Sequence, residues 1–139
     1  MSTSKTKTLS ALFIAFVLLL SLTACALLFP DGTSGAVSIE GDTLTIALEE
    51  NPTTGFCWSY TISDENVIHL VEDGYTAESN DPNVVGGGGM HQYTFEGLKA
   101  GEVTLVFDYY KSWEGVETAE EHIEYIVTVQ DDGTISKVK

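Results

Sequence analysis

Residues 43–62 read TLTIALEENPTTGFCWSYTI, and this stretch decides the fold. Its first part alternates, with Leu44, Ile46 and Leu48 on one face. Its last part alternates again, with Phe56, Trp58, Tyr60 and Ile62 in phase. Period-two alternation marks a half-buried strand. Between the two runs lies Asn51-Pro52-Thr53-Thr54-Gly55. Pro52 fixes its own φ and pushes Asn51 toward extended geometry. Gly55 takes positive φ at no steric cost. Thr53 and Thr54, stiff at χ1, present hydroxyls and backbone from a turn that cannot wander far. A short, rigid, presented loop is where binding function tends to reside.

The pattern continues on both sides. Residues 36–40 form a first strand, and Gly41-Asp42 turns the chain into the second. Ser63-Asp64-Glu65-Asn66 breaks the third strand, and residues 67–71 form a fourth. Residues 72–89 read as a long irregular stretch. Strand character resumes over residues 89–95, with Tyr93 and Phe95 as the large apolar pair. Val103, Leu105 and Phe107, with Tyr109 on the same face, make the strongest strand. Ile123, Tyr125, Val127 and Val129 are in phase in the next, and Asp131-Asp132-Gly133 opens a terminal hairpin. No segment after residue 30 holds a helical period for three turns. Seven to eight short strands with frequent turn signals predict an all-β, immunoglobulin-like sandwich in a single domain spanning residues 36–139.

The first part of the chain is different. Lys5 and Lys7 precede an apolar run from Leu9 to Leu22, and Leu22-Thr23-Ala24-Cys25 matches a bacterial-type lipobox. Residues 1–24 are expected to be a secretory signal, with lipid on Cys25 and a spacer over residues 25–35. The other reading is an uncleaved anchor, since residues 9–29 are nearly continuous apolar sequence, long enough to span a bilayer. Both readings predict an exported domain tethered to a membrane on the extracytoplasmic side.

All 21 acidic residues follow Cys25, where only Lys99, Lys111, Lys137 and Lys139 oppose them, a difference of −17. No arginine occurs. Nucleic acid is excluded as a partner, because phosphate binding needs a basic stripe. Cys57 is the one thiol after Cys25, so no disulfide within the domain is possible. Between Phe56 and Trp58, it is expected to be a small buried hydrophobe. His69, His91 and His122 stand in no recognisable motif with a Ser or Cys nucleophile, so no enzyme and no catalytic residues are expected. Glu120, Glu121, His122 and Glu124 lack diagnostic metal spacing and read as a solvated charged edge. No metal or cofactor is expected.

Two further loops complete the picture. Gly86-Gly87-Gly88-Gly89 precedes the fifth strand. A four-glycine run is either a loose tip or a backbone that something must approach closely. Lys111-Ser112-Trp113-Glu114 opens the loop between the sixth and seventh strands. A Trp there either folds back on the core or stands exposed as an anchor. In an immunoglobulin-like sandwich the loops after the second, fourth and sixth strands emerge at one end. Three segments far apart in sequence are therefore expected to form one surface.

These residues resemble the chagasin-type inhibitors of papain-family cysteine proteases. That family carries an Asn-Pro-Thr-Thr-Gly-aromatic loop, which Asn51, Pro52, Thr53, Thr54, Gly55 and Phe56 match in full. It carries a glycine-rich loop ahead of a strand, which Gly86, Gly87, Gly88 and Gly89 resemble. It carries Arg-Pro-Trp-Glu in the last loop; here Lys111, Ser112, Trp113 and Glu114 keep the charge, the Trp and the Glu, and lose the guanidinium and the proline. The resemblance spans residues 37–129. It implies a monomeric, reversible, competitive inhibitor whose three loops wedge into the protease cleft, the first against the catalytic pair and the others gripping the sides. The alternative is a surface-tethered adhesion or peptide-binding module on the same sandwich, since fold does not fix function.

Overall fold

The computed structural model describes residues 35–139. The signal over residues 1–24, the lipidation site Cys25 and the spacer up to residue 34 lie outside the described residues. Eight strands follow in order: β1 (Gly35–Glu40), β2 (Thr43–Glu50), β3 (Phe56–Ile62), β4 (Ile68–Ala77), β5 (Gly89–Gly97), β6 (Gly101–Lys111), β7 (Glu121–Val129) and β8 (Ile135–Val138). Strand β1 starts at Gly35, one residue inside the expected spacer. No helix among the described residues is long and apolar enough to cross a membrane.

The strands form two four-stranded sheets, ordered β1-β2-β5-β4 and β3-β6-β7-β8, with every pairing antiparallel. The first is the A-B-E-D sheet of an immunoglobulin domain. The second is its C-F-G sheet with one strand added. The expected all-β, immunoglobulin-like sandwich is what forms.

Alternation explains the core. Leu44, Ile46 and Leu48 of β2 are fully buried, as are Leu105 and Phe107 of β6, Phe95 of β5 and Val127 of β7. Each such side chain stabilises the fold by roughly 1.5–3 kcal/mol through burial. Tyr60, Tyr93, Phe95, Phe107 and Tyr125 form a chain of edge-on and tilted rings between the sheets, with centroids 5.2 to 6.3 Å apart. The inward phase of β2 ends on Glu50, a carboxylate 8% exposed.

The stretch expected to be irregular from residue 72 is instead the outer half of β4, which pairs with β5 as far as Ala77↔Gly89. A bulge between Leu70 and Glu72 shifts the register. Such a shift flips which residues face inward, so it erases alternation. Residues 71–77 are also exposed, on an edge strand held by backbone pairing rather than burial. Cys57 departs from expectation too: it is half-buried, its Sγ 3.8 Å from the Tyr110 carbonyl. Burial, and secondarily the charge of Glu50, push its thiol up. A raised thiol pKa keeps it protonated and unreactive.

Candidate functional site

Loops β2–β3, β4–β5 and β6–β7 leave the sandwich at the same end, and each is shaped by its own residues. In the first, Pro52–Thr54 form one 3-10 turn, with Pro52 at its start and Gly55 closing it at φ +82°. The Thr54 and Gly55 amides donate to the Asn51 and Pro52 carbonyls, each at 3.1 Å. The Asn51 Oδ1 accepts from the Thr53 amide at 3.2 Å and from its hydroxyl at 2.6 Å. The Thr54 hydroxyl donates to the Asn51 carbonyl at 2.6 Å. Both hydroxyl protons are thus turned inward. This exposed tip therefore has no threonine hydroxyl proton left to donate to a partner.

The second loop is tied to the first by Asn51, whose Nδ2 donates to the Gly86 carbonyl at 3.1 Å. The second half of the glycine run is a close approach, while a Cβ on Gly86 or Gly87 would meet its neighbours at ordinary contact distance. A Cβ on Gly89 would lie 2.2 Å from the Thr76 carbonyl oxygen, and one on Gly88 3.2 Å from that of Glu50. Ahead of the run, Val85 is 93% exposed and Val84 half-exposed. An Asx turn precedes them: the Asn83 amide and side chain both donate to Asp81, which lowers its carboxyl below the ordinary range.

The third loop settles the question of Trp113. It is 67% exposed, and its ring edge lies across Gly55, where a Cβ would stand 2.2 Å from the indole. The Ser112 amide donates to the Gly55 carbonyl at 3.2 Å. Trp113 is therefore neither core nor free; the first loop's glycine is its seat. Lys111 points back along its own loop, with Nζ 3.6 Å from Glu114 Oε1 and 5.3 Å from the centre of the Phe56 ring. Val116, half-exposed, opens a second 3-10 turn, Val116–Thr118.

Beneath the loops, Tyr109 stacks on Phe56 with centroids 5.1 Å apart and packs on Trp58 at 4.8 Å. Its hydroxyl accepts from the Asn51 amide at 3.2 Å. The Trp58 indole donates to the Glu49 carbonyl at 2.8 Å. The fourteen residues expected at the site, 51–56, 86–89 and 111–114, thus gather at one end. Sequence reasoning missed Tyr109 as their floor, the exposed Val84–Val85 pair, and the role of Asn51 as the clasp between loops. The side chain that satisfies two loops at once carries no local signal.

The histidines pair with carboxylates. His122 Nδ1 is 2.6 Å from Asp108 Oδ1, and His69 Nε2 is 3.5 Å from Glu96 Oε2. His91 lies between Glu50 and Asp73. Among the described residues no group of three or more His, Cys, Asp or Glu side chains could hold a metal ion.

Known proteins resemble this chain in sequence and in fold. The model of the chagasin family peptidase inhibitors, I42, matches residues 38–129. Amoebiasin-1 of Entamoeba histolytica is 32% identical over 84 residues, covering 60% of this chain and 79% of its own. The crystal structure of the cysteine protease inhibitor EhICP2, also from Entamoeba histolytica, superposes with a TM-score of 0.56 at 26% identity. That match covers 65% of this chain and 80% of the other. The family is one of inhibitors, not enzymes. The match over residues 38–129 takes in all three loops, six whole strands and the second half of β1, and the chain belongs to the chagasin family of peptidase inhibitors.

Proposed function

We propose that the three-loop end occludes the active-site cleft of a papain-family cysteine protease, reversibly and in competition with substrate. The observation that carries this reading is the cross-tied edge itself. Asn51 joins the first loop to the second, and Trp113 seated on Gly55 joins the first to the third. A preformed edge loses little conformational entropy on binding. The tip of residues 52–54 enters the cleft. Val84 and Val85 on one side and Trp113 and Val116 on the other supply apolar area to its shoulders. The name of EhICP2 as a cysteine protease inhibitor supports the target class. The turned-in threonine hydroxyls fit a plug that is not cleaved.

The inhibitor acts as a monomer. Residues 5–25 support its export and its tether outside the cytoplasm, through lipid on Cys25 or through the apolar segment itself.

The test is to titrate residues 30–139 into papain with a fluorogenic peptide substrate. Competitive inhibition, unchanged after long incubation, is the expected result. No inhibition of papain or of a panel of related proteases would overturn the assignment and favour a binding module with another partner.

A further inference from the structure

His91 occupies a position that inhibition does not by itself explain. Its Nε2 lies 2.6 Å from Asp73 Oδ1 on β4, and its Nδ1 is hydrogen-bonded to Glu50 Oε2 on β2. Tyr93 stacks flat against the ring, with centroids 4.3 Å apart and planes 9° from parallel. A neutral imidazole carries one N–H, whereas both of these contacts need a donor. The geometry is that of an imidazolium between two carboxylates. The carboxylates sit at opposite ends of the ring, so they do not converge on a common point as metal ligands would.

The location matters as much as the chemistry. Glu50 directly precedes Asn51, the clasp of the first loop. His91 lies two residues after Gly89, where the second loop ends. Asp73 lies on the outer half of β4, which leads into that loop from the other side. One side chain thus joins the end of β2, the start of β5 and the outer half of β4, the strands from which the first two loops spring.

We propose that His91 is a proton-operated latch between the first and second loops, firm in mildly acidic solution and released as the pH rises. The latch regulates the edge proposed above to inhibit, and in that respect it rests on that reading.

Burial alone would pull the imidazole's pKa down. The hydrogen bonds to Asp73 and Glu50, and then their charges, outweigh it, and the net displacement is upward from 6.5. The direction fixes the sign. Stability from the latch is fully present below the pKa of the unfolded chain and is lost as the pH rises through the higher folded pKa. Other groups around the ring do not interfere. Tyr75 of β4 stands edge-on at 6.5 Å. Tyr93 is pushed up by burial, then by Asp73 and Glu50. From β3, Tyr60 packs against Tyr93 and Cys57 feels the charge of Glu50; both are raised chiefly by burial. Tyr60, Tyr93 and Cys57 therefore stay protonated while His91 titrates.

On deprotonation one ring nitrogen turns a lone pair toward a carboxylate. The Asp73 side chain is 46% exposed and Glu50 only 7%. Asp73 is the partner free to swing into water, so the β4 side of the second loop is what loosens.

The test follows the His91 ring by NMR and the amide hydrogen exchange of residues 51–55 and 84–89, from about pH 5.5 to about 9. It compares the protein with Asp73→Asn and His91→Gln. The expected His91 midpoint lies above 6.5 and falls in Asp73→Asn. Loop protection, corrected for the intrinsic pH dependence of exchange, falls about tenfold for each unit by which folding raises the midpoint. It stays level in His91→Gln. A midpoint at or below 6.5, or a His91→Gln profile that tracks the unaltered protein, overturns the latch. Papain inhibition is then measured at both ends of the range, against a small active-site inhibitor as control. Weaker inhibition at the upper end supports the latch, and equal inhibition at both ends counts against it. Absence of inhibition at both ends overturns the proposed function instead, and the NMR and exchange results then judge the latch alone.

Discussion

The two ends of the sandwich are closed in different ways. At the end opposite the loops the ties between turns are mostly main chain, with side chains such as Ser63 and Asp132 bonding within or beside their own turns. The Gly97 amide donates to the Asp42 carbonyl, that of Leu98 to Val67 and that of Ile135 to Gly41, each at 2.8 Å. Leu98 is the large apolar side chain exposed there. At the loop end side chains do most of the tying, beside the Ser112 amide on the Gly55 carbonyl: Asn51 to Gly86, Tyr109 to Asn51, Trp58 to Glu49, Trp113 over Gly55 and His91 between two carboxylates. Val84, Val85, Trp113 and Val116 remain exposed there. Main-chain closure leaves one end complete in itself. Side-chain bracing holds the other in a fixed shape while leaving apolar surface uncovered, which suits an edge that meets a partner.

That contrast can be broken by substitution. The largest effect on inhibition is expected from Trp113→Ala, a weakening of about 30-fold or more, as for a hot-spot anchor of at least 2 kcal/mol. Its thermal midpoint should hardly move, since the ring is mostly in solvent. A large fall in the midpoint would mean that Trp113 is scaffold.

Two glycines make a matched pair across the molecule, each with a would-be Cβ 2.2 Å from a neighbour. Gly55→Ala adds a left-handed non-glycine residue, a cost of about 1–2 kcal/mol, and unseats Trp113. Inhibition should drop about tenfold or more, since it depends on that anchor. Gly97→Ala meets the Gly133 backbone carbonyl, which cannot rotate away. It should lower stability by about 1–3 kcal/mol while the folded fraction inhibits normally. Urea unfolding and inhibition measured on both variants would sharpen the comparison, and a reversed pattern would break it.

Asn51→Ala removes the clasp between loops. The side chain makes three exposed hydrogen bonds, one of them as the cap of the turn, and the expected loss is about 1–2 kcal/mol of stability. Inhibition should weaken by a factor of about ten, from a looser edge. Asp132→Asn is expected to have the smallest effect. Hydrogen bonds from the Thr134 backbone and side chain hold the Asp132 carboxyl below its ordinary range, so its contribution is present above the unfolded pKa and fades as the pH falls through the folded one. The variant should flatten the acid limb of the stability profile slightly and leave inhibition unchanged.

Much of this was legible in the sequence. Leu44, Ile46 and Leu48, and later Val103, Leu105 and Phe107, announce their strands because one face of each is buried. The outer half of β4 was hidden because nothing there is buried and a bulge resets its phase. The three loops were legible as segments, and the strand count placed them at one end. Their interlocking was not. Trp113 and Gly55 are distant in sequence, and so are Glu50, Asp73 and His91; chain order alone does not show which side chains converge.

The chain holds two tryptophans, and the fold sends them to opposite environments. Trp58 is 6% exposed under the loops, and Trp113 is 67% exposed upon them. Unlabelled protein therefore carries two built-in fluorophores that answer different questions. A partner closing over the edge shifts the emission of Trp113 to the blue and leaves Trp58 dark to the event. Unfolding shifts Trp58 to the red and leaves Trp113 nearly where it was. One emission spectrum thus tells occupation of the edge from loss of the scaffold by the direction in which it moves.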